Sequence, residues 1–133
     1  MLVFRARPSR TRIILLVEEL EPLRTVLQTI LEKAGHLVLF AENSEKALRI
    51  AGTYVGSIDL LLTHTRLHGG SGPELASVLR SYQPEMAALY MSKSLIEMME
   101  LSDAKEFISS LLPHPFSPEI LLRRLGMLLA AHL

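Results

Sequence analysis

Glu18, Glu19, His64, Ser92 and His114 are the side chains of this sequence best placed to do chemistry together, because each stands at the end of a short apolar block. Glu18 and Glu19 follow "RIILLV", His64 follows "IDLLLT", Ser92 follows "AALYM", and His114 comes just after the block ending at Leu112. Carboxylates beside imidazoles can hold a metal, pass protons or neutralise one another. A metal centre would draw on Glu19, His64 and His114, with His68 on the neighbouring glycine loop, and would suit metal sensing or metal-assisted hydrolysis. The spacing is not that of a local zinc motif, so only tertiary proximity recommends it. The plainer expectation is an imidazole paired with a carboxylate, with protonated histidines neutralising Glu18 and Glu19 without a metal. The chain has no cysteine, which removes disulfides and thiol nucleophiles. Its "HGGSG" lacks the lysine and the spacing of a phosphate-binding loop. His36, at a strand start, and His132, near the chain end, have no such company.

The apolar blocks must position these groups. "RIILLV" (Arg12 to Val17) is a short β-branched block that suits a strand covered on both faces, and His36 to Ala41, Ile58 to Thr63, Ala87 to Met91 and Phe107 to Leu112 read as four more. Between them, Leu23, Val26, Leu27, Ile30 and Leu31 fall at helical spacing from Pro22 to Lys33, with Gly35 as a stop. A second helix begins at Ser44, capped by Asn43 or Ser44. A third runs from Pro73 to about Tyr82, ending before Pro84. Ser94 to Leu101 is helical by propensity and rich in methionine, and Ser117, Pro118 and Glu119 open a last helix reaching Leu129. The glycines 69, 70 and 72 should make the loop after the third strand flexible or left-handed. Strands alternating with helices predict an α/β domain with a doubly wound parallel sheet, five strands and five helices, and its ligands sit outside the carboxyl ends of the strands. The five chemical residues should therefore converge.

The totals fit one domain. A hydrophobic share of 49% over 133 residues is enough to close a core. Fourteen basic residues balance fourteen acidic ones, which gives no reason to expect nucleic acid as a partner. The exception is a basic N-terminal arm, residues 1–11, ahead of a domain over 12–131; Arg5, Arg7 and Arg10 lie on it and Arg12 just beyond. No run is long enough for a signal peptide or a membrane span, so a soluble cytoplasmic protein is expected.

The segments "LLVEELEPLR", "AENSEKALRIA", "IDLLLTHTRLHGGSGPELA", "MS" and "HPFSPEILLRRL" together resemble the receiver domain of two-component response regulators, over essentially the whole stretch from Arg12 to Leu129. The resemblance implies a flavodoxin-like sheet of strand order 2-1-3-4-5, in which a phosphoryl group passes from a partner histidine kinase to an aspartate ending the third strand. Carried over position by position, His64 occupies the place of that phosphoaccepting aspartate. Glu18 and Glu19 stand for the acidic pocket, Ser92 keeps the hydroxyl, His114 replaces the lysine of the Lys-Pro pair, and Leu111 replaces the switch aromatic. Phosphoryl transfer to a carboxylate needs an oxygen nucleophile, a divalent metal and a cation on the far oxygens. Here the acceptor and the lysine are replaced, and Mg²⁺, which demands oxygen ligands, should bind weakly or not at all.

The expectation is a non-enzymatic pseudo-receiver, an interaction module of phosphorelay signalling that works without phosphorylation and without a cofactor. Its partner would be another signalling protein, a histidine kinase or an output protein, docked on the fourth helix, fifth strand and last helix. A homodimer through the same face is the alternative. Neither membrane nor nucleic acid is expected as a partner.

Overall fold

The computed structural model describes residues 11–93 and 110–131. Strand β1 (Ile13–Val17) leads to helix α1 (Glu21–Lys33), β2 (Leu37–Ala41), α2 (Ser44–Thr53) and β3 (Leu60–His64). Two-residue strands β4 (Arg66–Leu67) and β5 (Gly70–Ser71) then form a small antiparallel ribbon before α3 (Gly72–Leu79), β6 (Ala87–Ser92), β7 (Leu111–Pro113) and a C-terminal helix, Pro118–Ala131. The main sheet has the order β2-β1-β3-β6-β7 and all its pairings are parallel. Leaving out the ribbon, this is the expected order 2-1-3-4-5. Residues 1–10 of the basic arm expected over 1–11, the methionine-rich helix expected at Ser94 to Leu101, and the start of the expected fifth strand lie outside the described residues.

Alternation along β1 explains why both faces are covered. Ile14 and Leu16 point to one side, where Leu27 and Leu31 of α1 meet Leu121 and Leu125 of the C-terminal helix; Leu15 and Val17 point to the other, against Ala47 and Ala51 of α2 and Leu75 and Leu79 of α3. Strand β3 is buried at all five positions. Each fully buried leucine contributes about 1.5–3 kcal/mol relative to exposure, so the central strands are firmly seated under the site. Of the two expected caps for α2, Asn43 makes the bond, its side-chain oxygen accepting from the Lys46 amide at 2.8 Å. Ser117 does the same for the C-terminal helix, accepting from Ile120 at 3.2 Å.

Several boundaries differ from expectation, and two of them matter for the site. His64 and Ser92 are the last residues of their strands rather than the first residues after them, because β3 pairs with β6 as far as His64 and Met91, and β6 pairs with β7 as far as Ser92 and Pro113. A central strand keeps its ladder for as long as its neighbours offer one, whatever the polarity of the side chain. The glycine loop also differs from expectation. Gly69 alone of its three glycines is left-handed, at φ 84°, while Gly70 sits in the ribbon and Gly72 opens α3. Helix α3 ends at Leu79 rather than Tyr82, with Arg80 as its C-cap.

Candidate functional site

Three strand ends meet at one edge of the sheet. Glu18 follows β1, His64 ends β3, and His114 follows β7, so a cleft of about 150 Å³ opens there, lined by Glu18, Glu19, Leu20, Leu23, His64, Arg66, Lys93 and His114. The sequence expectation of convergence therefore holds for Glu18, Glu19, His64 and His114. Ser92 is fully buried and does not line the cleft. Leu111 is buried in β7, where its carbonyl accepts from the Arg124 guanidinium.

The centre of the cleft is an acid–imidazole pair. His64 Nε2 lies 2.5 Å from Glu18 Oε1, with only 8% and 2% of the two side chains exposed. The other carboxylate oxygen of Glu18 accepts from the Leu20 amide at 3.1 Å. Both of its oxygens are thus engaged. Among the described residues, His64 Nδ1 is buried with no hydrogen-bond partner. The His114 ring lies parallel to His64, with centroids 5.9 Å apart and planes within 15°, and Phe116 packs on it from 4.9 Å.

Glu19 points elsewhere. It is exposed, and its carboxylate accepts from the His68 amide at 3.2 Å, tying the β1–α1 turn to the loop after β3. The set Glu19, His64 and His114 is not gathered as a metal centre: among the described residues no group of three or more His, Asp or Glu side chains is arranged to hold a metal ion. Sequence reading missed Arg66 and Lys93. Their positions, two residues past His64 and one past Ser92, were the available signal, since residues just beyond a strand's carboxyl end face the ligand edge of such a sheet.

Charge and burial oppose each other at Glu18. Burial by itself pushes the carboxyl up, and it is outweighed by the hydrogen bonds from His64 and the Leu20 amide and by the positive charges of His64 and Lys93, so the group titrates below its usual 4.5. A carboxyl lowered in the folded state favours folding fully above its unfolded value and loses that contribution as pH falls through the folded one. Stability should therefore decline from about pH 5 downward. In urea titrations at stepped pH, Glu18→Gln is expected to flatten this acid limb relative to the parent; an unchanged limb would remove Glu18 as its source.

The order of the parallel strands, the helices on both faces and a polar cleft at the carboxyl edge define a doubly wound α/β domain of the kind that binds ligands at its strand ends. Residues 14–125 match the family described as Response regulator receiver domain, and the chain belongs to that family. Solved structures share the fold. A response regulator receiver domain protein from Clostridium thermocellum superposes with a TM-score of 0.78 at 22% identity, covering 90% of this chain and 95% of that one. The receiver domain of the hybrid histidine kinase CckA matches at 29% identity and a TM-score of 0.71, covering 88% and 98%. A response regulator receiver protein from Sinorhizobium medicae WSM419 matches at 25% and 0.73, covering 92% and 98%. No curated protein matches the chain. Among the described residues no helix is long and apolar enough to cross a membrane.

Proposed function

We propose that this receiver domain works as a protein-interaction module whose state does not depend on phosphorylation. The observation that carries the reading is the contact between His64 and Glu18 at 2.5 Å. At the tip of β3, where the family resemblance implies an aspartyl acceptor, stands an imidazole whose Nε2 is held by Glu18 and whose Nδ1 is buried. Neither nitrogen is presented for in-line attack on a phosphodonor, and imidazole offers no carboxylate oxygen.

The same donor set does not fit Mg²⁺. That ion needs near-octahedral oxygen ligands and gives up water reluctantly. One Glu18 oxygen is engaged by His64 and the other by an amide, and Glu19 is turned toward His68. We read the pair as an internal replacement for charge neutralisation by metal, which leaves the module without cofactor or enzymatic role, and with a cytoplasmic place in two-component signalling.

Its partner is another signalling protein, a histidine kinase or an output protein, docked on the side formed by β7 and the C-terminal helix; a second copy of this chain is the other occupant such a face admits. On the described part of that face, Ile120 and Met127 are 42% and 61% exposed on the outer side of the C-terminal helix. Adaptable methionine suits a docking surface. Leu111 is too small and too buried to act as a rotating aromatic link between cleft and face.

Incubation with acetyl phosphate and Mg²⁺ tests the reading. No phosphoryl adduct is expected on the parent by intact-mass spectrometry, and the partner's affinity should be the same with and without the phosphodonor. His64→Asp should restore an oxygen acceptor and give at least a trace of adduct. An adduct on His64 in the parent, or a phosphodonor-dependent affinity, would overturn the proposal.

A further inference from the structure

Strand β1 stops pairing with β2 at Val17 and Ala41, and Glu18 is the first residue beyond it. Its amide still reaches back to the Ala41 carbonyl at 3.1 Å. Its own carbonyl has left the ladder, and an unmatched main-chain acceptor there would leave the turn free to rotate. Arg24 fills that role from the first turn of α1, donating through one guanidinium nitrogen to the Glu18 carbonyl at 2.9 Å, while its amide donates to Leu20 at 2.9 Å. Glu18 is thus fixed at main-chain nitrogen, main-chain oxygen and both carboxylate oxygens. The guanidinium is itself held: its carbon lies 5.6 Å from the centroid of Phe40, within the range of a cation–π contact. Phe40 stands on β2, an edge strand of the main sheet, and is 50% exposed.

We propose that Arg24 is a positioning residue for the Glu18–His64 pair, and that Phe40 keeps the guanidinium in place for it. The chain of contacts runs from a half-exposed ring on the sheet's rim, through a cation, to the main chain of the residue whose carboxylate meets His64. It concerns the geometry of the pair and rests on the reading above only in treating that pair as the centre of the site.

The test is the imidazole Nε2 proton of His64, which a buried hydrogen bond to the Glu18 carboxylate should shift downfield in proton NMR and protect from exchange with solvent. In the parent domain the resonance is expected. Arg24→Gln removes the charge and the long donor, and should abolish the resonance or speed its exchange at least tenfold. Arg24→Lys keeps a cation and a donor but loses the planar fork that stacks on Phe40, and should give an exchange rate between those of the parent and Arg24→Gln. Phe40→Leu should give an intermediate acceleration, with Gln28→Ala on the same helix as a neutral control.

Urea stability measured on the same samples separates positioning from bulk destabilisation. A protein destabilised by Arg24→Gln with the resonance intact overturns the proposal, as does equal loss in the Gln and Lys variants. If Arg24→Gln does not fold, the Phe40→Leu sample decides, and an unchanged resonance there overturns it. An acetyl phosphate adduct on the parent would defeat the functional reading and leave this result standing, so the two failures are distinguishable.

Discussion

Gly72→Ala is expected to lower the free energy of unfolding by about 3 kcal/mol, at the upper end of what overpacking a tight interior costs. A methyl group built on Gly72 would sit 2.2 Å from the His64 carbonyl oxygen, 2.8 Å from Tyr90 Cδ1 and 3.1 Å from Thr63 Cγ2. The nearest of these is main chain of the central strand, which cannot swing aside as a flexible side chain would. Either β3 or the start of α3 must move. Moving α3 breaks the bond from the Gly72 amide to the Thr65 carbonyl, at 3.0 Å, and moving β3 displaces His64 from Glu18. Equilibrium urea denaturation checks the effect, with the downfield His64 proton as a second readout. A loss below about 1 kcal/mol would mean that the α3 entry is far more compliant than ordinary packed interiors.

The second large effect concerns Glu18. Glu18→Ala should cost about 2–4 kcal/mol at pH 7, between the ~1–3 kcal/mol of orphaning a buried polar group and the ~3–5 kcal/mol of breaking a buried ion pair. What makes the prediction specific is the double variant. Replacing both partners by apolar groups of similar size, Glu18→Met with His64→Leu, removes the charge and its counter-charge together and should recover most of the loss. A double-mutant cycle by chemical denaturation measures this directly. Additive losses, with no recovery, would show that the two side chains stabilise the domain separately, and that their 2.5 Å approach is incidental to folding.

The expected and observed elements compare best where burial is two-sided. Strand β1 and the interior of β3 were legible because leucine and isoleucine run without a break, and such runs occur where helices cover both faces of a parallel sheet. Helix α1 was legible from its spacing. The ends are less so: polarity in the sequence puts His64 and Ser92 just beyond their strands, yet inter-strand hydrogen bonding belongs to the backbone and carries on through a polar residue. The ribbon of Arg66–Leu67 with Gly70–Ser71 was hidden, since two-residue strands leave no periodicity to read.

Sequence by itself determined the class of fold, the order of the strands once the receiver resemblance was seen, and the fact that an imidazole and not a carboxylate occupies the tip of the third strand. Tertiary structure decided which glutamate the imidazole takes. Glu18 and His64 are 46 residues apart, joined only because β1 and β3 are neighbours in the sheet, and the adjacent Glu19 turns outward to the His68 amide. Two consecutive glutamates look alike in a sequence. Their side chains leave the main chain in different directions, and only the assembled sheet fixes which direction is buried.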